Sequence, residues 1–171
     1  AEVEGLSYDE VRYGDTEILF NSDEWTIRAG SRNKWITPGK SNDNAGFAGW
    51  VVENAVELTQ LGGGIHYGEW WGRGIQRGYD LDEKRFSLFN VSRWTDDVRP
   101  SCCHVVPILF TGMFDTNIIY NTLGYLEQHG SLAAPGFMKP EGIVIYHVAS
   151  GHLFKKTIEG DEKPKGSQEA S

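Results

Sequence analysis

The stretch Leu61-Gly62-Gly63-Gly64-Ile65-His66-Tyr67-Gly68-Glu69-Trp70-Trp71 holds the change of period on which the fold turns. Upstream of the glycines, Phe47, Trp50, Val51, Ala55, Leu58 and Leu61 recur at mostly three- and four-residue steps. That spacing predicts a helix over 46–61, closed by Gly62-Gly63-Gly64. Downstream, residues 65–71 read as a strand running into a polar, glycine-containing loop, with a second strand at Phe86-Ser87-Leu88-Phe89-Asn90-Val91. A third is expected at 104–110, where Pro107 argues for an edge or a bulge.

Working outward, residues 17–20 and 25–30 flank Asn21-Ser22-Asp23-Glu24, turn chemistry between two β-prone runs, and read as a hairpin. Asp115 or Thr116 is placed to cap a helix carrying Ile118, Ile119, Leu123 and Leu126, with Gly130 just past its end. The runs 142–148 and 152–157 look like a hairpin turning at Ala149-Ser150-Gly151. About seven strands and two helices, with strands joined mainly by short turns, make an α+β fold with antiparallel sheets and flanking helices.

The 171 residues predict one domain at roughly 150 residues per domain. With 39% hydrophobic and 12% aromatic residues the composition is that of a folding chain, and no apolar run approaches the roughly 18 residues that span a bilayer. A soluble protein without membrane association is expected. The opening Ala1-Glu2-Val3-Glu4-Gly5 shows no basic region or apolar stretch of a secretory leader, so the expected compartment is the cytoplasm. From Glu159 onward charged and small polar residues with Pro164 and Gly166 suggest a loose tail.

The net charge of -8 is concentrated at one end: residues 1–24 hold eight acids against the single base Arg12, leaving the remainder close to neutral. A polyanionic ligand therefore remains compatible with that remainder, where Arg28, Arg32, Lys34 and Lys40 follow one another with no acid between them. Cys102 and Cys103 are adjacent, which suits neither a disulfide scaffold nor a zinc site and favours plain buried thiols. On a strand they would point to opposite faces, so a Cys/His nucleophile pair with His104 is disfavoured. The five histidines form no H-x-x-x-H pair, and neither G-x-S-x-G nor a glycine-rich phosphate loop occurs. Polar residues do collect at strand ends: Arg32, Glu69, Glu141 and the pair Lys155-Lys156.

The order of these segments carries a resemblance. Glu2-Val3-Glu4-Gly5, Ser31-Arg32-Asn33, Tyr67-Gly68-Glu69-Trp70, Phe86-Ser87-Leu88-Phe89-Asn90, Glu141-Gly142-Ile143-Val144-Ile145 and Phe154-Lys155-Lys156 resemble, in sequence, the motifs of the covalent nucleotidyltransferases. The set is most similar to the adenylation domain of ATP-dependent RNA ligases, above all the short RNA ligase proteins encoded by bacteriophages. The resemblance implies a nucleotidyltransferase (ATP-grasp-like) adenylation domain over residues 1–157, followed by the polar tail 158–171. It also implies ATP or AMP and Mg²⁺ as cofactors, RNA ends bearing a 5′-phosphate and a 3′-hydroxyl as partners, a role in RNA repair, and the host cytoplasm as the compartment of a phage-encoded protein.

In that family a lysine in K-x-[DE]-G attacks the α-phosphate of ATP, AMP stays on the lysine, passes to an RNA 5′-phosphate, and is displaced by a 3′-hydroxyl. Such chemistry wants an amine nucleophile near cations. Counting back from Gly5 puts Glu2 at the nucleophile position, and a carboxylate there is expected to impair self-adenylylation. By the same resemblance Arg32 would contact the phosphates or the RNA end, Glu69 the ribose, and Phe86 would stack on the adenine. Glu141 would sit near the ribose or a Mg²⁺ ion, and Lys155, with Lys156 beside it, would neutralise charge on the α-phosphate. The second lysine of the family's K-x-K falls at Thr157.

The residues alone leave other readings open. Phe86 suits a core strand position, Glu69 and Glu141 suit strand ends, and Arg32 and the lysines suit solvated loops. A pseudo-enzyme holding nucleotide or RNA ends without covalent chemistry fits the same motifs. A carbohydrate-active protein, with Trp-rich loops and Glu69 with Glu141 as an acid/base pair, is the third reading.

Overall fold

The computed structural model describes the backbone of Glu2–Gly5 and residues 17–160 in full. The expected tail beyond residue 160 lies outside the described residues, as does the side chain of Glu2. The chain divides into two compact units, Ala1–Val106 and Pro107–Ser171, where the sequence reading takes 1–157 together.

In the first unit β1 (Glu2–Gly5) lies between β3 (Thr26–Ser31) and β5 (Gly64–Gly72), antiparallel to both. The expected hairpin forms as β2 (Phe20–Asn21) paired with β3, its turn held by the Trp25 amide donating to Ser22 Oγ at 3.1 Å. A second hairpin joins β3 to β4 (Lys34–Ile36) across Arg32-Asn33. On the other side β5 pairs antiparallel with β6 (Lys84–Leu88), and β6 pairs parallel with β7 (His104–Val105). The strand expected over 104–110 is thus only two residues long and parallel. The Val106 amide still donates to Leu88 O at 3.1 Å, but Pro107 has no N–H with which to continue the ladder.

β5 alternates as a sheet with two distinct faces should: His66, Gly68, Trp70 and Gly72 are buried, and Ile65, Tyr67 and Glu69 are exposed. The buried face joins Ile27, Ala29, Ile36, Phe86 and Leu88 to Phe47, Val51, Ala55, Leu58 and Leu61 in one hydrophobic cluster. These helical residues come from the periodic run, which is broken into α1 (Phe47–Glu53), α2 (Ala55–Leu58) and a 3₁₀ turn at Thr59–Leu61. The break falls at Asn54, whose backbone amide and side-chain Nδ2 both donate to Trp50 O, at 3.0 and 2.8 Å, in the local competition typical of asparagine. At the start of α1 the orphan amides of Ala48 and Gly49 donate to the Asp43 carboxylate at 2.8 and 3.2 Å.

The second unit is built on α3 (Thr116–His129) and the hairpin of β8 (Gly142–His147) with β9 (His152–Thr157). Asp115 caps α3 by accepting from the Asn117 amide at 2.8 Å, and Gly130 leaves the helix at φ 82°, as the sequence suggests. Leu123, Leu126 and Ile143 form its buried centre, with Leu109, Ile119, Ile145 and Ile158 packed against them. Ile158, counted with the tail by sequence, also donates its amide to Glu141 O at 3.0 Å and so continues the hairpin.

Candidate functional site

Strand register brings several expected positions of the first unit together. Position 2 is opposite Gly30 of β3 on one side and Tyr67 of β5 on the other. Arg32 follows Gly30 by two residues at the exposed tip of the β3–β4 hairpin, and Glu69 follows Tyr67 by two on the exposed face of β5. Glu69 and the nucleophile position of the resemblance therefore fall on neighbouring strands, and Arg32 in the turn that follows a third, within a few residues of one register row. Arg28, one of the cations in the run that begins there, is buried on the same sheet with its guanidinium carbon 5.9 Å from the centre of the Trp35 ring.

Phe86 does not join them. It pairs with Trp70, whereas Glu69 pairs with Ser87, so Phe86 and Glu69 belong to opposite faces of the sheet. Its ring is 0% exposed and lies 5.1 Å from Phe47 and 5.7 Å from Trp50 between centroids. With neither face of the ring open, Phe86 has no surface for a base to stack on; it is a core residue, the reading its strand position alone favours.

The phenylalanine of the Phe-Ser-Leu-Phe-Asn motif on the Glu69 face is Phe89, three residues after Phe86. Its amide donates to Tyr67 O at 2.9 Å, continuing the antiparallel β5–β6 register by one pair, and Phe89 and Tyr67 are 42% and 50% exposed. Glu69 is followed on that face by Trp71, whose Nε1 donates to Ser87 Oγ at 2.8 Å and whose ring meets Tyr79 edge-on at 5.3 Å. Position 89 was visible in the sequence, inside the Phe-Ser-Leu-Phe-Asn motif. The parity of the strand puts the second phenylalanine of that motif, and not the first, on the Glu69 face.

Glu141, Lys155 and Lys156 belong to the second unit. Glu141 precedes β8 and its carboxylate accepts from Lys155 Nζ in an ion pair. Lys155 is opposite Val144 and Lys156 opposite Ile143, so the two lysines leave opposite faces of the hairpin. Only Lys155 is on the face that Val144 and Tyr146 expose, and Lys156 is half-buried. Shallow apolar clefts of this unit, lined by Phe110, Phe114, Ile118 and Tyr125, contain none of the expected site residues.

Two histidines of the first unit are shifted toward the neutral form. Burial pushes the His66 ring below its ordinary range, against the opposing effect of a 3.0 Å hydrogen bond with Gly62 O. Burial, then the charges of Arg85 and Arg99, does the same to His104. Among the described residues no group of three His, Cys, Asp or Glu side chains is placed to hold a metal, and no helix is long and apolar enough to cross a membrane. The cysteines also differ from expectation: residues 100–103 form a turn rather than a strand, which puts both sulfurs on one side. Comparison with protein-family models, curated proteins and solved structures finds no match for this chain.

Proposed function

We propose that the chain is an RNA ligase-like nucleotidyltransferase domain that binds ATP or AMP and joins RNA ends through an adenylylated intermediate, with self-adenylylation impaired by Glu2. The observation that carries this reading is the register row linking position 2, Gly30 and Tyr67, flanked by Arg32, Glu69 and the exposed ring of Phe89. In it, Phe89 with Tyr67 supplies the stacking surface for adenine in place of Phe86. Glu69 accepts hydrogen bonds from the ribose, and Arg32 meets phosphate at the strand end. For Lys155, which belongs to the second unit, the reading rests on the motif order alone, which gives it the charge that builds on the α-phosphate.

Mg²⁺ enters this reading with the nucleotide, because it is commonly held by one or two carboxylates together with substrate phosphates. The Glu141 carboxylate is already engaged by Lys155, so this residue alone does not make a magnesium site. A bacterial cytoplasm and a role in RNA repair are the setting this activity calls for.

The test is sealing of an RNA whose 5′ end already carries AMP, in Mg²⁺ and without ATP. Joining that depends on Lys155 supports a ligase. Absence of joining, with a melting temperature raised by AMP or ATP, leaves the non-catalytic nucleotide-binding reading, which the carboxylate at position 2 favours. Failure of both removes the nucleotide site altogether.

A further inference from the structure

We propose that Cys102 and Cys103 are a reactive vicinal dithiol that a hydroperoxide closes reversibly into a disulfide between neighbouring residues. Adjacent cysteines in a strand would diverge, but here the Cys103 amide donates to Pro100 O at 3.0 Å and turns the chain, leaving the sulfurs 3.9 Å apart. The turn is fastened on both sides. The Glu57 carboxylate accepts from the Cys102 amide at 2.8 Å and from the Ser101 hydroxyl, while the Arg99 guanidinium donates to the carbonyls of Pro100, Ser101 and Cys103. Cys102 is half-buried and meets solvent; Cys103 is wholly buried in the core of the first unit. One sulfur is thus open to an oxidant and the other is kept in reserve behind it.

The charges suit that division. Hydrogen bonding from Cys103 pulls the Cys102 thiol below its ordinary range, against burial and Glu57 and with a smaller contribution from Arg99, whereas the Cys103 thiol is pushed up by its bond to Cys102 and by burial. In the first step the Cys102 thiolate attacks the terminal oxygen of the hydroperoxide: an S–O bond forms, the O–O bond breaks, and the leaving oxygen takes a proton and departs as an alcohol, or as water where the oxidant is hydrogen peroxide. Sulfur is oxidised by two electrons and the peroxide is reduced. The neutral sulfenic acid no longer holds the Cys103 proton in place. In the second step Cys103 attacks the Cys102 sulfur, an S–S bond forms, the S–O bond breaks, and water carries away the hydroxyl and the Cys103 proton. Neighbouring Cα atoms stand about 3.8 Å apart, below the usual span of a disulfide, so the closed form is strained and readily reduced. Since Cys103 directly precedes β7, closure also pulls on the pairing of His104 with Ser87.

The pair is separate from the proposed nucleotide residues, and its test is independent of that reading. The intact chain is treated with graded hydrogen peroxide, unfolded, alkylated, and the peptide carrying both cysteines is weighed. The expected product is a monomer whose peptide is lighter by two hydrogens and takes no alkyl group, and dithiothreitol restores both alkylation sites. In Cys103→Ser, Cys102 should instead proceed to the sulfinic acid; in Cys102→Ser, Cys103 should remain alkylatable at the same doses. Should wild-type Cys102 over-oxidise while Cys103 stays alkylatable, should the chains link to one another, or should both thiols survive, the proposal fails. The wild-type mass decides this even where the buried Cys103→Ser change prevents folding.

Discussion

The Phe89 amide donates to the Tyr67 carbonyl at 2.9 Å, and this one bond beyond the end of β6 sets two exposed aromatic residues at opposed positions on the face that carries Glu69. Phe86, on the other face, is enclosed by Phe47, Trp50 and Trp70. Truncating each ring should separate binding from folding. Phe89→Ala should weaken AMP binding by about 1–3 kcal/mol, the usual worth of an aromatic–base stack. It should leave the melting temperature nearly unchanged. Phe86→Ala should cost about 3–5 kcal/mol of stability through the cavity it opens. Titration calorimetry beside thermal melting distinguishes the two, and equal loss of nucleotide affinity in both variants would return the stacking role to position 86.

Gly68 sets a related limit. A Cβ there would stand 2.6 Å from Phe86 Cε2 and Cζ and from Ser87 O, so even a methyl group has no room. Gly68→Ala should destabilise the first unit by about 1–3 kcal/mol through overpacking, read as a lowered denaturation midpoint. A compensating gain in Phe86→Leu/Gly68→Ala over the sum of the single changes would locate the clash at the ring.

Much of this arrangement was legible in the sequence because it is encoded locally. The alternation of residues 65–71, the Asp115 cap and the Gly130 stop each depend on a few neighbours, and each element forms close to its expected limits. What escaped depends on partners distant in the chain. That Phe89 and not Phe86 shares the face of Glu69 needs the register of β6 against β5, and the turn at 100–103 needs Glu57 and Arg99 to hold it. The Asn54 break interrupts a run whose apolar period is continuous, because periodicity records which face is buried and not whether the backbone bonds persist.

Position 2 makes the third prediction. With glutamate there, the purified chain given labelled ATP and Mg²⁺ should form no adduct that survives denaturing electrophoresis, because the carboxylate repels the α-phosphate and any acyl-adenylate hydrolyses. Glu2→Lys should restore a stable label in part, through an amine at the same register position between Gly30 and Tyr67. A labelled wild-type protein would contradict this role for Glu2.

The buried histidines predict a pH dependence of stability. The folded state holds His66 and His104 below the ordinary range, so it refuses protons that the unfolded chain accepts near pH 6.5. Stability is therefore fully present above that pH and is lost as the pH falls through it toward the folded values. His66→Gln, whose side-chain amide can still donate to Gly62 O, should make the decline shallower between pH 7 and 5. The difference is bounded by one proton, about 1.4 kcal/mol per pH unit. Parallel melting curves for the two proteins across that range would show that His66 titrates alike in both states.

Lys155 and Glu141 face each other in an ion pair that is partly open to solvent, which makes it a weak contributor to folding and leaves the lysine available for other work. Exposed pairs of this kind are worth about 0–1 kcal/mol, so Lys155→Ala should barely alter the melting temperature. Its effect on sealing of pre-adenylylated RNA should be large, because an ammonium opposite developing phosphate charge acts in the transition state and its removal lowers kcat and kcat/KM together. Glu141→Gln separates the alternatives: if the ion pair merely shapes the hairpin, both variants lose activity equally, whereas a lysine serving the phosphate retains it when its partner is made neutral. Lys156→Ala supplies the comparison from the other face of β9, and it should leave sealing closer to wild type than Lys155→Ala does.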